Sequence, residues 1–182
     1  MPSRPLLPRG PPPWLDYWNV PGPAGPTREP HVNKDFADFL DSLNGEGARY
    51  VVIGGMAVLS LVPYRTTRDL DVLIEPELDN ACKVRAAVRN WSGTEPRFSA
   101  EEFISGDILS FGGLLRVEVH SKVPGVDWGQ VWERRVEGEL LGVRTQFASL
   151  DDLIAMKESA GRSEKDLPDL KRLRRLRSRL KL

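Results

Sequence analysis

The chain of 182 residues contains one cysteine, Cys82. A lone thiol excludes an intramolecular disulfide framework and a multi-cysteine zinc site. A reducing, cytoplasmic setting is the expected one. Long hydrophobic runs are scarce. The strongest, Tyr50 to Val62, is shorter than the ~20 apolar residues of a bilayer span, and Gly54-Gly55 interrupt it. No membrane is expected among its partners. Neither charge sign dominates, with 26 Lys+Arg against 26 Asp+Glu. That balance excludes a globally basic nucleic-acid coat protein and a polyanion mimic. With 40% hydrophobic and 29% charged residues, the chain can build a packed core. Its length suits one domain with a tail.

Proline is sparse only after residue 30. Ten of the 15 prolines precede that point, a density that forbids helix and central strand and favours extended polyproline-II segments. Residues 1–32 therefore read as a proline-rich N-terminal arm, and 33–182 as the folded domain. Arg4 and Arg9 precede a short apolar stretch, but prolines occupy the apolar centre of a would-be secretion signal. Trp14, Leu15, Tyr17 and Trp18 form an aromatic cluster suited to docking on the domain or on a partner. The opposite end lacks acids: Lys171 to Leu182 reads KRLRRLRSRLKL, with seven basic residues. Because the whole chain balances, the first 170 residues carry seven surplus acids.

Hydrophobic periodicity predicts an α/β domain with a small mixed sheet flanked by helices. A helix capped by Asn33 runs to Asn44, with Phe36, Phe39, Leu40 and Leu43 on one face. Strands follow at Arg49–Gly54 and Asp71–Glu75, separated by a helix from Met56 to Val62 that Pro63 stops. Leu78 to Trp91 reads as a helix with Ala81, Val84, Ala87 and Val88 inward and Cys82 as a small core filler. Two hairpins follow, Ile108–Phe111 with Leu114–His120 around Gly112-Gly113, and Val136–Phe147 around Gly142. A short helix from Trp128 to Arg135 separates them. The chain ends in a helix opening on Ser149-x-x-Asp152 and a last helix, Asp166–Leu180. Leu167, Leu170, Leu173, Leu176 and Leu180 form the apolar stripe of that last helix.

Three features carry chemistry. Ile53-Gly54-Gly55 sits at a strand-to-helix turn, where glycine lets a backbone approach closely and a helix N-terminus offers free N–H groups to phosphate. A glycine pair at a turn is more often purely structural. Asp69 and Asp71 lead into the strand at a spacing of two, which puts strand side chains on one face. Side by side they repel unless a cation lies between them; an isolated Asp-x-Asp is usually a solvated edge. Glu118 lies on a strand whose charged face also carries Arg116 and His120. That face is solvent-facing by default, with His120 exposed. If it meets Asp69 and Asp71 across a sheet, three carboxylates form an oxygen-rich cage for Mg²⁺ or Mn²⁺, and His120 joins the site. Glu101 and Glu102, ahead of an alternative strand, compete with Glu118 for the third place.

Gly54-Gly55, thirteen residues and then Asp69-Leu-Asp71, with a later strand carboxylate, resembles the nucleotidyltransferase superfamily typified by DNA polymerase beta. Gly54-Gly-Met-Ala-Val58 with Arg65-Thr-Thr67-Arg-Asp69-Leu-Asp71-Val72 is more closely similar to its AbiEii-type and minimal bacterial branch. The same holds for Leu153-Ile-Ala-Met-Lys157, Ala160, Arg162 and Lys165-Asp166-Leu167. The similarity covers about residues 34–175. Gly55 stands where serine is frequent in active members, and Glu118 where aspartate is.

The resemblance implies a metal-dependent transfer of a nucleoside monophosphate from an NTP to a hydroxyl. Asp69, Asp71 and Glu118 would hold two Mg²⁺ or Mn²⁺ ions. Gly54 and Gly55 would cradle the triphosphate, with Lys157, Arg65, Arg162 and Lys165 near the phosphates. It implies an RNA (tRNA) or protein acceptor in a toxin–antitoxin or phage-defence setting, with a cognate antitoxin or target protein as a further partner. Two other readings stand beside it: a small-molecule (antibiotic) nucleotidyltransferase, and an inactive module of the same fold that binds RNA or a partner. The arginines of the last helix read equally as a solvated surface or as phosphate contacts to RNA.

Overall fold

A computed structural model describes residues 30–62, 67–113, 115–161 and 166–180. Most of the proline-rich arm, with its aromatic cluster, and Arg65, Arg162 and Lys165 lie outside these residues.

The architecture is a mixed α/β fold with one six-stranded sheet flanked by helices. Helix α1 (Pro30–Gly45) leads into β1 (Tyr50–Ile53), whose apolar, largely β-branched residues are all buried. Helix α2 (Gly54–Leu61) follows without a loop. Strand β2 (Asp69–Ile74) and helix α3 (Leu78–Ser92) come next, then β3 (Leu109–Gly112) and β4 (Arg116–His120). Helix α4 (Trp128–Arg134) precedes β5 (Val136–Leu140) and β6 (Val143–Phe147). Helices α5 (Leu150–Ser159) and α6 (Asp166–Leu180) complete the chain.

The strands lie in the order β3-β4-β2-β1-β6-β5. At the centre β1 and β2 pair antiparallel, Tyr50 opposite Ile74 and Ile53 opposite Asp71. A hairpin docks on each side through its second strand. β4 runs parallel to β2, and β6 runs parallel to β1 with Val52 opposite Phe147. Burying both faces of β1 requires helices on both. α1 packs on α3 and reaches β6, whereas α2 packs on β1, β2, α5 and α6. Phe36, Phe39, Leu40 and Leu43 of α1, Leu73 and Ile74 of β2, and Phe147 of β6 are all within 1% of complete burial. Each such side chain contributes about 1.5–3 kcal/mol of burial free energy.

Several boundaries differ from the sequence expectation. α1 starts at Pro30, so Asn33 lies inside the helix; proline's fixed φ and missing N–H suit a first turn. The glycine pair opens α2 instead of preceding it. β2 starts at Asp69, so both acids belong to the strand. Cys82 is exposed, not a core filler. The buried residues of α3 are Asn80, Ala81, Val84, Ala87 and Val88, and Cys82 falls on the opposite side of that helix. On α6, Leu173 is fully buried but Leu167 is 48% exposed. Spacing of three residues drifts by about 60° per step on a helix, so the leucine series leaves the core at its N-terminal member. No described helix is long and apolar enough to cross a membrane.

Candidate metal centre

The burial pattern of β2 changes halfway. Val72, Leu73 and Ile74 are all buried, but Asp69, Leu70 and Asp71 alternate half-buried, buried, half-buried. Strand geometry therefore turns both aspartates toward one open face. β4 alternates in phase: Val117 and Val119 are buried, and Arg116, Glu118 and His120 share the other side. Parallel pairing sets Asp69 opposite Arg116 and Asp71 opposite Glu118. β3 adds Ser110, opposite Glu118 on the same face, with Oγ 3.5 Å from Glu118 Oε1.

Two carboxylates directly opposite each other on neighbouring strands destabilise a sheet. Here an arginine and a histidine flank them. Arg116 Nη1 lies 3.4 Å from Glu118 Oε1, and its Nε lies 4.0 Å from Asp69 Oδ1. His120 Nε2 lies 3.4 Å from Asp71 Oδ1 and 3.9 Å from Glu118 Oε2. Asp71, Glu118 and His120 each offer one donor atom, and all three donors lie within 4.8 Å of one another. Their side chains are only 17%, 21% and 12% exposed.

Gly54 borders this cluster. A Cβ there would sit 2.1 Å from Asp71 Oδ2, and the residue's φ is +62°. Glycine is thus required twice, for the left-handed backbone and for the carboxylate packed against it. The first turn of α2 consequently lies beside Asp71. Gly55 makes room for the residues that lead into β2, because a Cβ on it would lie 2.8 Å from Thr67 Oγ1. That hydroxyl donates to the Asp69 carbonyl and accepts from the Asp69 amide, both at 3.3 Å. Thr67 therefore fixes the entry to β2.

Of the residues singled out from sequence, Asp71 and Glu118 converge, and Gly54 adjoins them. Asp69 shares their face, but its carboxylate is turned to Arg116 and is 47% exposed. Lys157 lies on α5 and is largely buried, its Nζ 3.3 Å from Asp169 Oδ2 of α6. Glu101 and Glu102 lie at a short 3₁₀ turn, where Glu102 accepts the Ser99 amide. They take no part in the cluster. His120 belongs to it, which overturns its reading as an exposed strand histidine. No sequence signal marks Arg116 as a site residue. Its role depends on the β2–β4 register, which strand alternation alone does not reveal.

Elsewhere an open groove of about 620 Å³ runs past the edge strand β3, between Trp91, Pro96, Arg97 and Phe111. Ser110, in its lining, also reaches Glu118 of the acidic face. On α6, Arg174 and Arg177 pair with Glu158 and Asp151 of α5. Lys171, Arg172, Arg175 and Arg179 are exposed and fall within about 100° of one another around the helix axis. Among the described residues no acid pairs with these four.

No family model matches the chain, and a search of curated proteins returns no match.

Proposed function

We propose that the protein is a metal-dependent nucleotidyltransferase that moves a nucleoside monophosphate from an NTP to a hydroxyl acceptor. The single observation that carries this reading is the pairing of Asp71 with Glu118 across β2 and β4, next to a glycine turn that opens a helix. Convergent carboxylates on an open face are costly without a cation, and they match the hard-oxygen donors that Mg²⁺ or Mn²⁺ take. Asp71 and Glu118 would hold the ion, with Asp69 two residues along the same face. The chemistry such an ion would supply there is neutralisation of triphosphate charge and activation of the acceptor hydroxyl.

The reaction asks little covalent chemistry of the chain. The acceptor oxygen bonds to the α-phosphorus, the α–β bridging bond breaks, pyrophosphate leaves with that electron pair, and the acceptor's proton passes to solvent or a nearby base. Positioning and charge dominate such displacements. In this chain the residues suited to positioning are Gly54, whose missing Cβ makes room for the Asp71 carboxylate, and Arg116, which lies between Asp69 and Glu118. The exposed basic face of α6, with no acid paired to it among the described residues, favours a polyanionic acceptor such as RNA over a cationic drug. A toxin–antitoxin or phage-defence role belongs to the same reading.

The test supplies each α-labelled NTP with Mg²⁺ or Mn²⁺, total tRNA and cell lysate. Label should enter a macromolecule with the native protein and not with Asp71→Asn. Absence of label with every nucleotide and metal, from a folded protein, contradicts the enzyme and leaves a binding module.

A further inference from the structure

We infer that His120 is itself a metal ligand, and that its nitrogen biases the centre toward Mn²⁺ and related first-row ions over Mg²⁺. The inference rests on the metal-dependent reading above and deepens it. The three-carboxylate cage implied by sequence has only oxygens; the cluster that assembles is Asp71, Glu118 and His120.

The spacing suits a shared ion. Nε2 stands 3.4 Å from Asp71 Oδ1 and 3.9 Å from Glu118 Oε2, facing both carboxylates at once. Donors that share an ion at about 2.1 Å each lie roughly 3 Å apart as neighbours and roughly 4.2 Å apart across it. Both observed separations fall within that interval. Ser110 and Arg116 hold Glu118 from the other side, at 3.5 and 3.4 Å. Gly54 leaves Asp71 the room it occupies. β4 has β3 on one side and β2 on the other, so its imidazole is only 12% exposed. Carboxylates and water suit both Mg²⁺ and Mn²⁺, whereas imidazole adds affinity for first-row ions, least for Mn²⁺ and more for Co²⁺ or Zn²⁺.

The experiment is electron spin-echo spectroscopy of Mn²⁺ added to the whole protein, with calorimetric titrations of Mn²⁺ and Mg²⁺. The expected spectrum shows ¹⁴N coupling to the bound Mn²⁺. His120→Gln should abolish that coupling and weaken Mn²⁺ binding about tenfold or more, with Mg²⁺ affinity changed less than about threefold. The sequence has one other histidine, His31, so loss of the signal in His120→Gln assigns it. Mn²⁺ bound without ¹⁴N coupling, and lost in Asp71→Asn, overturns the inference but leaves the metal centre standing. No Mn²⁺ binding by the native protein overturns both. If His120→Gln fails to fold, ¹⁴N coupling retained in His31→Gln assigns the signal to His120, and coupling lost there overturns the inference.

Discussion

The two hairpins dock on the central strands in the same way yet present opposite electrostatics. In each, the second strand lies parallel to a central strand and carries polar residues between buried ones. On β6 the charge is settled locally: Arg144 pairs with Glu137 of β5, both well exposed. On β4 the charge is not settled. Glu118 stands opposite Asp71, Asp69 lies two residues away, and one arginine serves both Asp69 and Glu118. Hairpin architecture is therefore neutral about function. A surplus of acids facing a buried central strand beside a glycine turn is what singles out one side.

Substitutions on the two sides should separate accordingly. Asp71→Asn should lower nucleotidyl transfer by about 10²–10³-fold or more. Without metal it should leave the melting temperature unchanged or raised, since one of two opposed carboxylates loses its charge. A parallel loss of stability would make Asp71 structural. Leu73→Ala, at the fully buried centre that both hairpins share, should cost about 2–5 kcal/mol in chemical denaturation, whichever hairpin is watched. Gly54→Ala should cost about 1–3 kcal/mol from its left-handed backbone and should also displace Asp71. Mn²⁺ titration of the folded fraction checks the second effect.

Tyr50→Phe probes the β6 side. The Tyr50 hydroxyl donates to Asn44 Oδ1 at 3.0 Å and lies 3.3 Å from Thr145 Oγ1, so its loss should cost about 1 kcal/mol. Burial raises the Tyr50 phenol above its ordinary 10.0. Above that pH the unfolded chain releases the proton before the folded one does, so native stability falls as pH rises from about 10. The fall should be shallower in Tyr50→Phe. Smallest of all, Arg144→Ala should change stability by less than about 0.5 kcal/mol, and transfer not at all. A large effect on transfer would erase the contrast between the hairpins.

Local signals made most of the fold legible. Gly112-Gly113 and Gly142 mark both hairpins, and the Ser149 side chain accepts the Asp152 amide as its spacing predicts. Asp69, Asp71 and Glu118 could be placed on strand faces by alternation. Their partners could not, because alternation fixes a face and not a register. Arg116 opposite Asp69 follows only once β4 is seated parallel on β2. The site position of His120 is hidden in the sequence for the same reason, since a polar strand face is normally solvated and this one is partly covered. Cys82 and Leu167 failed differently. Each is apolar enough for a core, but each lies off the buried side of its helix. The outward charge of α6 was plain in the sequence. The division into paired Arg174 and Arg177 and an unpaired face needed α5 beside it.

The most direct test of the central claim is anomalous diffraction from crystals of the whole protein grown with Mn²⁺ and a non-hydrolysable NTP. The account predicts a manganese peak touching carboxylate oxygens of both Asp71 and Glu118, with the triphosphate against the Gly54 turn. Nucleotide bound elsewhere, or no manganese between those two side chains, would contradict it.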